Sequence, residues 1–343
     1  MASNTSWLRS SSSTSFCDDF HLHKAIASHQ RHIEILISKS DLGAGKKGAS
    51  LGPDALKVSA DEHNFPLFHI FPVTEYESKK LCSPLLFESP AKYIQDILQR
   101  DEELCKLMSR ALLEKRTFLI FSGDHSNVNG FISGIREAFP SQKLGVIWID
   151  AHGDIHTPFT SPSGNLHGMP LGALLGLDNQ ENKIRNSSSD IIENWNKLKK
   201  VGRRNICPKL QPDELVLLEI RELEEQEWNA IHQLKIKYFI PKNRKQRGID
   251  FIIQQTLHHL RDCDLIFVTF DVDSLNASVS EGTGTPSADG LSVEEAKNLL
   301  KALWHLPNLC GLEVTEINPL LDYKNTMAKT IIEVIKYIMT SSG

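Results

Sequence analysis

Acids and histidines follow four apolar segments of the sequence, at the point where each segment ends. RTFLIFS is followed closely by Asp124 and His125, LGVIWI by DAHGD (150–154), DLIFVTF by DVD (271–273), and LCGLEVT by Glu316. Near-continuous apolar runs are typical of strands buried on both faces of a parallel sheet. Because the carboxyl ends of such strands meet at one edge, we expect these polar side chains to lie close together.

The composition of this cluster indicates metal chemistry. Four carboxylates packed together repel one another, and some must be protonated unless cations are present. Two divalent ions would balance the four charges, and two histidines add neutral nitrogen donors. Oxygen-rich ligation with imidazole and without cysteine suits Mn²⁺, with Co²⁺ or another divalent ion as an alternative, and two ions about 3.5–4 Å apart can activate a shared water. The predicted ligands are His125, Asp150, His152, Asp154, Asp271 and Asp273.

Each motif alone has a simpler interpretation. Asp271-Val272-Asp273 alone is compatible with a solvated turn at a strand end, and His125 alone with a buried histidine. Asp150 and His152 are more specific because they project to the same side of an extended chain. The metal hypothesis depends on the convergence of all these motifs on four strand ends.

Strands and helices must alternate to position this edge. Alternation of apolar runs and amphipathic stretches predicts a three-layer α/β/α fold with a central, mostly parallel sheet. We predict strands at 32–38, 66–71, 116–122, 144–150, 214–220, 235–240, 264–272 and 309–317, and helices near 91–115, 126–139, 224–233, 248–261, 292–305 and 327–340. The polar stretch 178–213 looks like an insertion with a helix at 191–199. Trp148 is expected to pack in the core.

Bulk properties exclude several classes of protein. The 343 residues are 40% apolar, and the net charge of -5 gives no reason to expect nucleic acid. The basic run KNRKQR (242–247) lies in a predicted loop without aromatic stacking partners, which disfavours a nucleic-acid site. No apolar run approaches the roughly 18 residues that span a membrane. Six scattered cysteines without a CxxC pair indicate reduced thiols and a cytoplasmic protein. Residues 1–30 are expected to form a flexible tail, with a transit peptide as the alternative.

These motifs together resemble the arginase family, also called ureohydrolases, and bacterial arginases most. The resemblance covers about residues 33–340 and implies an arginase-like fold, with 31–343 as a single catalytic domain, and a homo-oligomer, a trimer or hexamer. The matching segments are LGAGKKGASLGPDALK (42–57), SGDHS (122–126), DAHGDIHTPFTSPSGNLHGMPLG (150–172), FDVDSLN (270–276), TGTP (283–286) and EVTEINP (313–319).

The resemblance implies a role for each ligand. The first ion would be held by His125, Asp150, Asp154 and Asp271. The second would be held by Asp150, His152, Asp271 and Asp273, so that Asp150 and Asp271 bridge the two. Asp154 would also hold a hydroxide that bridges the ions. Glu316 would pair with the guanidinium of the substrate, and His167 would shuttle protons.

The resemblance also implies a substrate. The stretch SPSGNLHGMPL favours an arginase, which hydrolyses L-arginine to L-ornithine and urea through the bridging hydroxide; an agmatinase or another guanidino-acid ureohydrolase is the alternative. Glu224 and Glu227 would hold the α-ammonium, although acids are also common in the first turn of a helix. The implied substrate contacts are His156, Ser163, Asn165, Glu224, Glu227 and Thr285.

The sequence departs from the family pattern at several positions. His156 stands in place of asparagine, Ser122 in place of the first glycine of GGDHS, and Glu224 in place of a shorter aspartate. Asn276-Ala277 replaces an Asp-Pro pair. These departures concern the fine geometry around the site and leave all six ligand positions filled.

Two other classes of protein fit the residues less well. A zinc amidohydrolase of the deacetylase type would need one metal and fewer carboxylates. A binding or regulatory protein that had lost activity would be expected to lack ligands. We therefore predict a hydrolase of small guanidino compounds.

Overall fold

The computed structural model describes residues 32–77, 88–114, 116–279 and 281–341. Within these residues the chain forms eight β-strands. They are β1 (His32–Lys39), β2 (Val73–Glu77), β3 (Arg116–Ser122), β4 (Leu144–Ile149), β5 (Leu215–Leu218), β6 (Lys237–Phe239), β7 (Leu265–Asp271) and β8 (Leu309–Thr315). The flexible tail predicted for residues 1–30 lies outside the described residues.

The described strands form one sheet in the order β2-β1-β3-β8-β7-β4-β5-β6. Every pair of neighbours is parallel. The sheet is therefore all-parallel over the described residues, where the sequence predicted a mostly parallel one. The four strands that carry the candidate ligands and Glu316 are β3, β8, β7 and β4, and they are contiguous at the centre of the sheet.

Eleven α-helices lie in the described part of the chain. They are α1 (Gly52–Glu62), α2 (Leu67–Ile70), α3 (Ile94–Leu113), α4 (Val128–Ala138), α5 (Pro170–Leu174), α6 (Ser189–Leu198), α7 (Glu225–Gln233), α8 (Pro241–Arg247), α9 (Ile249–His259), α10 (Val293–Trp304) and α11 (Thr326–Thr340). The predicted start of α10 is confirmed, because the Ser292 hydroxyl accepts a hydrogen bond from the Glu295 N–H over 3.3 Å.

The two faces of the sheet pack against separate sets of helices, because side chains alternate along each strand. On β3, Leu119 and Phe121 pack in an apolar cluster with α1, α9, α10 and α11. Phe118 and Ile120 pack on the opposite face with α3, α4, α5 and α7. The predicted three-layer architecture is confirmed.

The strand predicted at 66–71 is wrong. Residues Leu67–Ile70 form α2, and the strand begins only at Val73. Pro66 precedes the helix with a φ of -76°, an angle that suits a helix start, where a missing N–H is tolerated. A short apolar run fits a strand and a buried helical turn equally well, so its hydrophobicity alone misleads.

The loop predicted at 242–247 is also wrong, because these residues form most of α8. Pro241 occupies its first turn. Arg244 is only 5% exposed and pairs with Glu219 over 2.9 Å and with Glu295 over 2.6 Å. The basic run therefore contributes a buried structural ion pair rather than a uniformly solvated segment.

The predicted helix in the insertion is confirmed as α6. Trp195 on this helix is buried, and its indole N–H donates to the carbonyl of Leu177 over 3.0 Å. Lys199 pairs with Asp178 over 2.7 Å. These contacts hold the end of α6 against the start of the insertion and the residue that precedes it.

No helix among the described residues has the length and apolar character needed to cross a bilayer. Cys105, Cys207, Cys263 and Cys310 carry free thiols, as predicted. Cys17 and Cys82 lie outside the described residues.

A buried lysine in the insertion makes stability depend on pH. Lys209 is 2% exposed, its ammonium donates to the carbonyl of Lys199 over 2.6 Å, and burial lowers the pKa of Lys209 from 10.5 to about 8. Between these values the unfolded chain binds more protons than the folded one, so the free energy of unfolding rises with pH, by about 3 kcal/mol across the window. We expect Lys209→Met to remove this rise. Urea denaturation of the wild type and of Lys209→Met from about pH 7 to pH 10.5 gives the free energy of unfolding of each protein. The difference between the two free energies should change with pH; a difference that stays constant would contradict the prediction.

Candidate active site

The carboxyl ends of the four central strands bring the predicted residues to one edge. His125 lies in the short turn after β3, Asp150 follows β4, Asp271 ends β7, and Glu316 follows β8. These strands are adjacent. The prediction that the four motifs converge is therefore confirmed.

One group of possible ligands surrounds Nδ1 of His125. This nitrogen lies 2.9 Å from Oδ2 of Asp150, 3.0 Å from Oδ2 of Asp154 and 3.4 Å from Oδ2 of Asp271. All four residues are buried. They are the four residues predicted for the first ion.

A second group surrounds Nδ1 of His152. This nitrogen lies 3.4 Å from Oδ1 of Asp150 and 3.0 Å from Oδ2 of Asp273. Asp150 therefore offers one oxygen to each group. Asp271 is connected to the second group through its Oδ1, which accepts the backbone N–H of Asp273 over 2.8 Å.

The two groups fit divalent cations. Nδ1 of His125 is buried and has no hydrogen-bond partner, although three carboxylate oxygens lie 2.9–3.4 Å away. Neighbouring ligand atoms of an octahedral ion with bonds of 2.0–2.1 Å lie about 3 Å apart. Three atoms of each group, one from each side chain, come close enough to hold one ion. The donor set, oxygen with imidazole, favours Mn²⁺ and similar metals over metals that prefer thiolates.

The electrostatics of the cluster also favour the binding of cations. Burial, together with Asp273 and Asp150, raises the pKa of Asp271 well above its usual value. Burial and Asp150 raise the pKa of Asp154 to about 7. Burial also acts to raise the pKa of Asp150. Hydrogen bonds with His125 and His152 outweigh the effect of burial and hold the pKa of Asp150 below its usual value. Cations would favour the ionised form of all these carboxylates.

Two of the predicted catalytic residues have an unusual backbone conformation. Asp154 has a φ of 48° and Glu316 a φ of 66°, in the left-handed region that residues other than glycine rarely adopt. Each is held by a backbone hydrogen bond: the Asp154 carbonyl accepts from Leu171 over 2.9 Å, and the Glu316 N–H donates to Gly123 over 2.8 Å. Such conformations persist where the surroundings fix them, and they are concentrated at functional sites.

A cleft of about 240 Å³ opens beside the ligand groups. Metal-ligand candidates and predicted substrate contacts line the same walls. The lining residues are His152, Asp154, His156, Ser161, Pro162, Ser163, Asn165, His167, Gly168, Glu224, Glu227, Asp271, Asp273 and Thr285.

His156, Glu224 and Glu227 meet in this cleft. Nε2 of His156 lies 3.1 Å from Oε2 of Glu224 and 3.7 Å from Oε2 of Glu227. Glu224 also caps α7, and its N–H donates to Glu227 over 3.1 Å. The two glutamates thus lie at the start of a helix and also line the cleft.

The other predicted substrate contacts have local partners. Ser163 Oγ accepts the backbone N–H of Asn165 over 3.2 Å, and Asn165 Oδ1 accepts a hydrogen bond from Lys92 over 3.0 Å. Thr285 donates its hydroxyl proton to Oδ2 of Asp273 over 3.0 Å. All three residues line the cleft, and Thr285 also supports a possible metal ligand.

His167 and Glu316 are in direct contact, with Nδ1 of His167 3.0 Å from Oε1 of Glu316. The same oxygen accepts the backbone N–H of His125 over 2.9 Å. Burial favours the neutral imidazole, but the Glu316 carboxylate outweighs it and raises the pKa of His167 to about 9. His167 lines the cleft, while Glu316 is 3% exposed.

Sequence reasoning missed the role of Trp148. It is buried as predicted, but its ring also stacks on His125 with centroids 4.2 Å apart, and its N–H donates to Oδ2 of Asp150 over 3.1 Å. Its position two residues before Asp150, on the same side of β4, was the available signal. No pattern singled out Arg221, whose guanidinium donates to the Asp273 carbonyl over 2.8 Å.

Comparison with known proteins identifies the family. The family model described as "Arginase family" matches residues 32–340. An arginase from Bacillus subtilis is 28% identical over 314 residues, which are 90% of this chain and 97% of that protein. An arginase from Staphylococcus aureus is 30% identical over 312 residues, 88% of this chain and 95% of that protein. The 1.7 Å crystal structure of Bacillus subtilis arginase has a TM-score of 0.77 at 27% identity, covering 91% of this chain and 99% of that one. Because the family model spans most of the sequence, the chain belongs to the arginase family.

Proposed function

We propose that this protein hydrolyses L-arginine to L-ornithine and urea with two divalent metal ions. The observation that carries the proposal is the composition of the cleft. Residues from two His/Asp groups suited to divalent ions line it together with acids and an amide that can bind an amino-acid head group. The arginase relatives support the choice of arginine. The ions would be held by His125, Asp150, His152, Asp154, Asp271 and Asp273.

The chemistry requires a strong nucleophile, because the guanidinium carbon is resonance-stabilised. When bound, two divalent ions supply Lewis acidity and lower the pKa of water. Asp154 would accept the proton of the attacking water and pass it to the leaving amine. Glu316 would orient the guanidinium by charge-assisted hydrogen bonds, exchanging its contact with His167 for one with the substrate.

The opposite end of the substrate would be recognised by the head-group contacts. Glu224 and Glu227 would bind the α-ammonium, and Ser163 and Asn165 the α-carboxylate. His156 stands beside both glutamates, and its imidazole would orient them. Thr285 would act through Asp273, to which it donates.

The proposed substrate is tested by urea release from the Mn²⁺-loaded protein with L-arginine and agmatine side by side. Agmatine lacks the α-carboxylate, and hydrogen bonds to a charged group contribute about 1.5–3 kcal/mol each, so we expect at least about 10²-fold higher kcat/KM for arginine. Ser163→Ala should lower kcat/KM for arginine about 10-fold and leave that for agmatine unchanged. A preference for agmatine would retain the metal chemistry and overturn the substrate; urea from neither would point to another guanidino compound.

His167 is expected to move protons between the site and solvent, a role that suits imidazole. We expect His167→Ala to keep both metal ions and to slow kcat by about 10²-fold or less, the low end for loss of a general acid or base. Stopped-time urea assays and metal analysis of the same samples check this. Unchanged kcat would remove His167 from the mechanism.

We also propose the finer properties that the sequence and the resemblance support. Mn²⁺ is the proposed metal because the ligands are carboxylates and imidazoles. Residues 31–343 are proposed to form one catalytic domain, since early and late strands are interleaved in one sheet. The family resemblance supports a homo-oligomer, and the scattered free thiols support a cytoplasmic location.

A further inference from the structure

A buried carboxylate outside the proposed ligand set lies behind His125. Glu313 is on β8, in the interior of an apolar strand, and is 0% exposed. Its Oε1 accepts the hydroxyl proton of Ser122 over 2.6 Å, and its Oε2 accepts that of Thr269 over 2.9 Å. A buried carboxylate is costly unless it is well paired, so packing alone does not explain its presence.

The chain of hydrogen bonds continues from Thr269 to His125. Oγ1 of Thr269 lies 2.8 Å from Nε2 of His125, and Thr269 and Glu313 are register partners on β7 and β8. The four side chains of Ser122, Glu313, Thr269 and His125 therefore form a continuous relay, which we call the β8 relay. It begins on β3, crosses β8 and β7, and ends at a proposed metal ligand.

The number of protons on Thr269 determines which group donates in each hydrogen bond of the β8 relay. A hydroxyl has one proton, and the Thr269 proton is donated to the carboxylate of Glu313. Oγ1 of Thr269 can then only accept from His125, so Nε2 of His125 must carry the hydrogen. In the neutral imidazole that binds a metal, Nδ1 is then left with a lone pair, and this is the buried nitrogen that faces three carboxylates without a hydrogen-bond partner.

We propose that Ser122, Thr269 and Glu313 are positioning residues for His125, which fix its Nε2–H tautomer and thereby prepare Nδ1 as a metal ligand. Partners of this kind orient a ligating histidine and raise its basicity. Ser122 replaces a glycine of the family pattern, and a glycine has no hydroxyl to donate. The substitution thus supplies Glu313 with its second hydrogen bond. The inference rests on the proposed function, in which His125 binds a metal ion.

The test compares Thr269→Val, which keeps the shape of the side chain and removes the hydroxyl, with Thr269→Ser, which keeps the hydroxyl. Mn²⁺ binding is measured by equilibrium dialysis and by electron paramagnetic resonance, which distinguishes a coupled pair of ions from a single one. We expect Thr269→Val to bind one ion roughly 10–100-fold more weakly and to show the signal of a single ion. Thr269→Ser should stay within about 3-fold of the wild type, well short of that loss.

Equal Mn²⁺ affinity in Thr269→Val and the wild type would overturn the proposal. An equal loss of Mn²⁺ affinity in Thr269→Val and Thr269→Ser would also overturn it. Ser122→Gly is a milder probe that removes only the outermost donor; unchanged Mn²⁺ affinity in that variant would remove Ser122 from the relay. Metal binding is measured without substrate, so failure of the β8 relay and failure of the proposed function give different results. Wild-type protein that binds two ions and releases urea while Thr269→Val matches its affinity contradicts only the relay. Wild-type protein that binds no Mn²⁺ contradicts the proposed function.

Discussion

Asp271→Ala is expected to abolish paired metal binding and nearly all hydrolysis. Asp271 lies 3.4 Å from Nδ1 of His125 and accepts the N–H of Asp273, so its loss disturbs both ligand groups. Loss of an indirect partner of a metal site typically costs 10–100-fold, and we expect loss of a direct ligand to cost about 10³-fold or more in kcat/KM. Metal analysis and urea assays at saturating Mn²⁺ check the result. Retention of two tightly bound ions would contradict a shared role for Asp271.

Thermal unfolding separates metal loss from misfolding in this variant. An ion that binds only the folded state raises its stability with concentration, so Mn²⁺ should raise the Tm of the wild type and have little effect on that of Asp271→Ala. Removing a buried carboxylate whose pKa is raised should not lower the Tm of the metal-free protein. Asp262→Ala is the matched control, because Asp262 is an exposed aspartate paired only with its neighbour Arg261 among the described ion pairs; it should behave as the wild type in every assay.

Glu316→Gln is expected to lower kcat/KM by about 10²–10³-fold and to leave metal content unchanged. Glu316 is buried, and removing one partner of a buried charge pair costs about 3–5 kcal/mol. The glutamine retains an oxygen that can accept the N–H of His125, so the fold is preserved while the charge that would hold a guanidinium is lost. Steady-state kinetics with arginine and metal analysis are the measurements.

The control for this substitution is Glu294→Gln, at an exposed glutamate in the first turn of α10. It should leave kcat and KM unaltered. A Glu316→Gln variant with kcat/KM within about 3-fold of the wild type, far below the effect of losing a charged partner, would mean that Glu316 does not bind the substrate. A variant that loses metal would instead assign Glu316 to the support of His125, whose N–H it accepts.

The ligand groups could be predicted from the sequence because each motif follows its own apolar run directly. Their convergence needed only the rule that parallel strands end at one edge. Glu313 was visible as a polar residue inside an apolar strand, but its partners were not. Ser122 and Thr269 precede it by 191 and 44 residues, and no local pattern reveals which strands will be neighbours.

The errors in secondary structure have a common cause. The run 66–71 and the basic run 242–247 were interpreted by composition, while their conformations depend on prolines at the helix starts and on distant partners such as Glu219 and Glu295. Tertiary contacts override local preference at such sites. Glu224 illustrates the same limit, since one residue stands at the start of α7 and also lines the cleft.

The strand order has a consequence for how the protein is made. β8 is the last strand in the chain, yet it lies between β3, which leads to His125, and β7, which ends in Asp271. During biosynthesis β3 and β7 cannot complete their pairing until β8 has been synthesised, and long-range parallel pairing of this kind forms slowly. Metal loading would therefore be among the last events in maturation. A chain interrupted before residue 309 would carry every proposed metal ligand and still lack the strand that brings them together.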